Sequence, residues 1–130
     1  MVYRLFLIVS VLLTLCCSDD NDGFLEVALI GCGVDNPLKE LEWLRSEVEK
    51  RKNDSSEEAR YCYISQFEQD GQTYFLYEDC NPFIDKVIPV YNCLGENVGF
   101  VSDANFPFQI FMERTIIFNP ENTLCDLSEN

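Results

Sequence analysis

Tyr61-Cys62-Tyr63-Ile64-Ser65-Gln66-Phe67, then Gln69-Asp70-Gly71, then Thr73-Tyr74-Phe75-Leu76-Tyr77, reads with a period of two on either side of an Asp-Gly pair. Such alternation sends successive side chains to opposite faces of a strand. Asp-Gly tolerates the positive φ angles that a two-residue turn demands. The stretch is therefore a β-hairpin. With Asp70 and Gly71 as the turn, Phe67 faces Tyr74 and Tyr61 faces Cys80. Cys62 and Cys80 then project from opposite faces, which argues against pairing them.

Working toward the N-terminus, residues 53–58 form a polar loop, and before it the period changes to that of a helix. Asp35-Asn36-Pro37 announces that helix. Asn36 is the expected cap, and Pro37 sits at the first helical position, where its missing N–H goes unneeded. The helix is expected over residues 37–52. Leu38, Leu41, Leu44 and Val48 recur at spacings of three and four and share a buried face, and Lys50-Arg51-Lys52 suit the negative end of the dipole. Trp43 points roughly 160° away from the Leu41, Leu44 and Val48 stripe, so something else covers it. The expected cover is the apolar segment 24–30 or the chain before Asn36; the functional alternative is an exposed aromatic anchor for a partner. Residues 24–30 read as a first strand or a packed arm, and Gly31-Cys32-Gly33 turns the chain.

Toward the C-terminus, residues 86–91 and 98–101 flank Cys93-Leu94-Gly95-Glu96-Asn97 and make a second hairpin. Pro89 cannot donate to a ladder, so this strand has an edge or a bulge there. Residues 105–112 form a helical turn interrupted by Pro107, and Arg114-Thr115-Ile116-Ile117-Phe118 is a final strand rich in β-branched residues.

The first residues decide the compartment. Arg4 opens an apolar run over residues 5–15 that ends at Cys16-Cys17-Ser18-Asp19-Asp20-Asn21-Asp22. The run is shorter than the roughly 20 residues a spanning helix needs, so it reads as an export signal. An apolar stretch that stops at a cysteine and passes into a loose acidic segment is the form of a lipoprotein precursor. Cys17 or Cys16 is the expected lipidation site, residues 1–16 the signal, 17–23 the tether, and 24–130 a single domain. The competing reading is an ordinary signal and a soluble product.

Export makes disulfides the default for Cys32, Cys62, Cys80, Cys93 and Cys125. Cys80 with Cys93, stapling the start of one hairpin to the tip of the next, and Cys32 with Cys125 are the expected pairs. The chain has no histidine and no Cys-x-x-Cys, so neither a zinc nor a haem site is read from it, and no metal or cofactor is expected.

With 23 acidic against 9 basic residues and a net charge of −14, the surface repels nucleic acid and anionic membranes. Without histidine, a Ser–His or Cys–His nucleophile is excluded, which leaves carboxylate pairs, a lysine or a metal held by oxygens. Glu78-Asp79 near Asp85, or Asp19-Asp20-Asp22, offers oxygens for weak calcium binding, but neither has the spacing of an EF-hand. No catalytic residue is assigned. Tyr61, Tyr63, Tyr74 and Tyr77 lie on adjacent strands. If the sheet has one covered side, half of them face away from the helix and suit stacking on a glycan or a protein. The alternative is a core with tyrosines at its rim.

Cys-Ser-Asp-Asp at the signal, with Cys32-Gly33-Val34-Asp35-Asn36-Pro37-Leu38-Lys39-Glu40-Leu41-Glu42-Trp43-Leu44 and Val90-Tyr91-Asn92-Cys93-Leu94-Gly95, resembles a group of small lipoproteins from Bacteroidota. In that group a CG-x-x-NPL-x-x-L-x-WL helix precedes a few strands. Glu42 stands where the group commonly has proline, and the region of Phe118 replaces a tryptophan. The resemblance implies outer-membrane attachment and supplies no catalytic role.

The expected protein is α+β, with one amphipathic helix on a four- to five-stranded antiparallel sheet. It is held by lipid to the cell envelope at the outer membrane, as a non-catalytic binding or accessory module. Its partners are the membrane and another envelope protein or a glycan. The alternatives are a soluble secreted disulfide-bonded inhibitor-like protein and a carboxylate-based hydrolase.

Overall fold

The computed structural model describes residues 24–128. The signal, the tether, Cys16 and Cys17 lie outside the described residues. The elements run β1 (Leu25–Glu26), α1 (Pro37–Glu40), α2 (Glu42–Lys52), a 3-10 turn (Glu58–Tyr61), β2 (Cys62–Gln69), β3 (Gln72–Asp79), β4 (Pro89–Tyr91), β5 (Asn97–Phe100), α3 (Gln109–Glu113) and β6 (Thr115–Asn119). The strands form one sheet in the order β1-β6-β2-β3-β4-β5, each neighbour antiparallel. The class is α+β as expected. The sixth strand comes from the N-terminal arm, which adds two residues to the edge of the sheet at β6.

The central hairpin has the expected register, with Phe67 opposite Tyr74 and the Cys80 amide donating to the Tyr61 carbonyl at 2.9 Å. Asp70 at φ 52° and Gly71 at φ 74° make the turn, whose positive angles match the twist of the strands it joins. In the second hairpin Pro89 is the first residue of β4, where a missing donor breaks no ladder bond. A bulge follows between Val90 and Tyr91.

The helix departs from expectation. Leu41 is extended, at φ −84° and ψ 112°, and divides it into one turn and an eleven-residue helix. Nor does the Asn36 side chain cap it. Instead the Asn36 carbonyl accepts from Lys39 and Glu40 at 3.0 and 2.9 Å, and the Glu40 carboxylate reaches back to the Asn36 amide at 2.8 Å. With Leu41 outside the helix, the stripe of α2 reduces to Leu44 and Val48. Trp43 borders that stripe rather than opposing it.

The sheet has two covered faces. On one, α1 and α2 bury Leu38, Leu44 and Val48 against Ile64, Phe75, Ile117 and Phe118. Ile117 is the extra residue of a bulge between β2 and β6, which lets both it and Phe118 join this core. On the other face, Phe67, Leu76 and Val90 are covered by Phe106 and by Ile110 of α3.

The disulfides are corrected in their partners. The same four cysteines pair, but as Cys32–Cys93 and Cys80–Cys125, not Cys80–Cys93 and Cys32–Cys125. Phe75 lies opposite Tyr91, which continues to Thr73 beside Cys93. Cys80 is seven residues farther along β3, about 23 Å away, whereas a disulfide needs Cα atoms within about 7 Å. An antiparallel meander sets the tip of the second hairpin beside the tip of the first, not beside its start. Cys32 is held at that tip by its amide, which donates to Thr73 Oγ1 at 3.0 Å.

Candidate functional site

Trp43 is half-buried rather than an exposed anchor. Its ring meets Phe75 edge-on at 5.5 Å and leans on Tyr91 at 6.3 Å, and its Nε1 donates to the Cys93 carbonyl at 2.9 Å. The cover is the β4–β5 turn, to which Cys32, in the chain before Asn36, is tied by its disulfide. Gly95, at φ +77°, lies so close that a Cβ there would come within 2.7 Å of the indole. A side chain at 95 is excluded by both the angle and the space.

The four tyrosines do not share an open surface. Tyr63 and Tyr74 belong to the α3 face, where Tyr63 is buried and Tyr74 stacks on Phe67 at 5.3 Å and meets Phe106 at 5.2 Å. Tyr77 belongs to the helix face, 4.3 Å from the Tyr91 ring, with the Arg51 guanidinium 4.8 Å above it. Tyr61 ends the 3-10 turn and is partly exposed. Burial raises the Tyr77 phenol well above its ordinary value, and Glu47 nearby adds to this.

A polar cluster that the sequence reading missed lies inside the α3 face. Glu78 is 2% exposed and its Oε1 accepts from Arg114 Nε at 2.7 Å and from the Ser65 hydroxyl. Arg114 also donates to the Phe111 carbonyl, and its guanidinium lies 3.5 Å over the Phe111 ring. Burial, with the Glu78 carboxylate beside it, pushes the Tyr63 phenol up to about 12. The charge is thus compensated within the fold. Ser65 is 0% exposed, and Glu78 is held by the Arg114 cation. Asp79, its neighbour in sequence, faces the opposite side of the sheet, where Lys86 pairs with it at 3.7 Å. The Glu78 and Asp79 carboxylates therefore do not converge on one site. The only sequence signal for the cluster was parity along two strands, which puts Ser65 and Glu78 on one face once the register is known.

Two exposed regions lie at the ends of the sheet. At the turn end, the Cys32–Cys93 disulfide, Thr73, Tyr74, Asn92 and Leu94 border an open cleft of about 420 Å³. At the other end the chain enters β1, the Cys80–Cys125 disulfide ties down the C-terminal segment, and the connection between β3 and β4 protrudes. In that connection Phe83 is 88% exposed and Val87 70%, with Ile84 beside them. The edge strand β5 offers less. Its Gly99 and Phe100 amides are taken by Asn97 Oδ1 at 3.2 Å and Asp103 Oδ2 at 2.8 Å, which blocks addition of another strand there.

Cys62 is a free cysteine. Burial, followed by the Asp79 charge, raises its thiol pKa, so it is a poor nucleophile. No family model, no curated protein and no solved structure matches the chain.

Proposed function

We propose that this is a lipid-anchored protein of the cell envelope, attached to the outer membrane through Cys17 or Cys16, whose folded part is a non-catalytic binding or accessory module. The observation that carries the reading is the pair of disulfides, Cys32–Cys93 and Cys80–Cys125, behind an export signal that ends in two cysteines. Disulfides persist in oxidising compartments, and the apolar run over residues 5–15 supplies the route there.

The binding half of the proposal rests on surface. Ser65 and Glu78 are buried, while the turn-end cleft brings Tyr74, Asn92 and Leu94 to solvent on a base made rigid by a disulfide. An aromatic ring, an amide and an aliphatic side chain around a shallow cleft suit another envelope protein or a glycan. Intact mass spectrometry of the protein purified from membranes, before and after reduction and alkylation, tests the reading. The expected result is a mature chain carrying lipid at its first cysteine, with four of the five cysteines of the folded domain protected until reduction. An unlipidated mature chain would overturn the anchor and leave a soluble secreted protein.

A further inference from the structure

We propose that the apolar loop between β3 and β4, at Phe83, Ile84 and Val87, rests in the headgroup layer of the membrane that holds the anchor. This second contact fixes which end of the domain faces the lipid. The inference rests on the lipid anchor proposed above.

The sheet register places the loop and the chain entry at the same end. Leu25 lies opposite Asn119 and Ile64 opposite Phe118, so Leu25 is level with Tyr63 and Phe24 with Cys62. Cys62 in turn lies opposite Asp79, the last residue of β3. The loop therefore leaves the sheet at the level where the chain comes in. Strands lie about 4.8 Å apart, so β1 and the β3–β4 connection are separated sideways by roughly 17 Å. The seven steps from Cys17 to Phe24 reach at most about 25 Å. A domain tethered that closely keeps its entry end toward the bilayer, and the loop is the apolar part of that end.

The side chains fit a neutral lipid interface. Phe83 is 88% exposed, Val87 70% and Ile84 49%, three apolar residues within five positions of one connection. Amphipathic segments of this kind sit at the boundary between headgroups and acyl chains, with apolar groups inward and charges left at the surface. Lys86 is drawn back toward the sheet by Asp79 at 3.7 Å, and the exposed Asp85 between Ile84 and Lys86 stays at the level of the charged headgroups. The chain's net charge of −14 opposes anionic lipid, so the contact is with zwitterionic headgroups. The turn-end cleft then faces away from the membrane, toward a partner.

The test uses the full protein made with its own signal in a host that processes lipoproteins, reconstituted into phosphatidylcholine vesicles containing brominated acyl chains, with tryptophan emission as the readout. Trp43 packs at the turn end and reports background. Phe83→Trp and Val87→Trp are each expected to lose at least twofold more emission to bromine than the parent protein, while Leu94→Trp, at the turn end, behaves as the parent does. Unquenched emission from both loop variants, with intact mass confirming the lipid, would overturn the loop contact while sparing the anchor and would make a protein the loop's occupant. Equal quenching at position 94 would overturn the fixed orientation. A lipid-free mass would overturn the anchor reading and this inference with it.

Discussion

The two faces of the sheet are built on different physics. On the helix side the buried cluster of Leu38, Leu44, Val48, Ile64, Phe75, Ile117 and Phe118 has the neutral Gln66 and Thr73 as the buried polar neighbours on its face, and its stability comes from surface removed from water and from close packing. On the α3 side Phe67, Leu76, Val90, Phe106 and Ile110 share the interior with Ser65, Glu78 and Arg114. There the stability depends on an ion pair whose two members must both be present. The first face should tolerate any change that keeps volume. The second should tolerate paired changes better than single ones.

The largest effect is expected on the helix side. Phe75→Ala removes a fully buried ring that also supports Trp43 and should lower unfolding free energy by about 3–5 kcal/mol, measured by urea denaturation. A loss below about 1 kcal/mol would mean that this face collapses around the cavity. Glu78→Leu, which leaves Arg114 buried without its carboxylate, should be nearly as severe, at about 3 kcal/mol or more. The double change Glu78→Leu with Arg114→Met should recover most of that loss. A double variant no better than the single would erase the contrast between the faces.

A smaller effect comes from alkali. Neutral Tyr63 is the form the fold prefers, and its pKa stands at about 12 against about 10 in the unfolded chain. Between those values the folded state holds more protons than the unfolded one, so stability is fully present below about pH 10 and falls as pH rises toward about 12. Tyr77, raised in the same direction on the helix face, adds to the fall. Denaturation midpoints compared at pH 8 and 11 for the parent, Tyr63→Phe and Tyr77→Phe should show each phenylalanine variant losing less than the parent. The smallest effect belongs to neither face. Phe83→Asp at the exposed loop tip should change stability by no more than about 0.5 kcal/mol, and a larger loss would show that the tip is part of the fold.

Elements governed by neighbours in sequence were legible. The central hairpin, its register, the Asp70-Gly71 turn and the final strand all follow from a period of two and from which residues accept positive φ. The helix was legible in place but not in continuity, because the break at Leu41 answers packing of Leu38 and Leu44 on the sheet rather than any local breaker. Trp43 was misplaced for the same reason: its cover, Gly95, is fifty-two positions away. The Phe83–Val87 loop was passed over because no period marks a connection. The Ser65–Glu78–Arg114 cluster joins three strands or strand ends that only the completed sheet brings together.

What the amino-acid sequence determined by itself was the class of fold, the signal-like first segment, the acidic surface and the set of cysteines from which disulfides form, since each depends on composition, period or turn chemistry within a few residues. The tertiary structure alone decided which cysteines pair, which face each tyrosine joins, where the buried charge finds its partner and which apolar residues stay in solvent. Those outcomes depend on strand order and register over the whole sheet, where a shift of one residue moves a side chain to the other face and a shift of seven moves it about 23 Å.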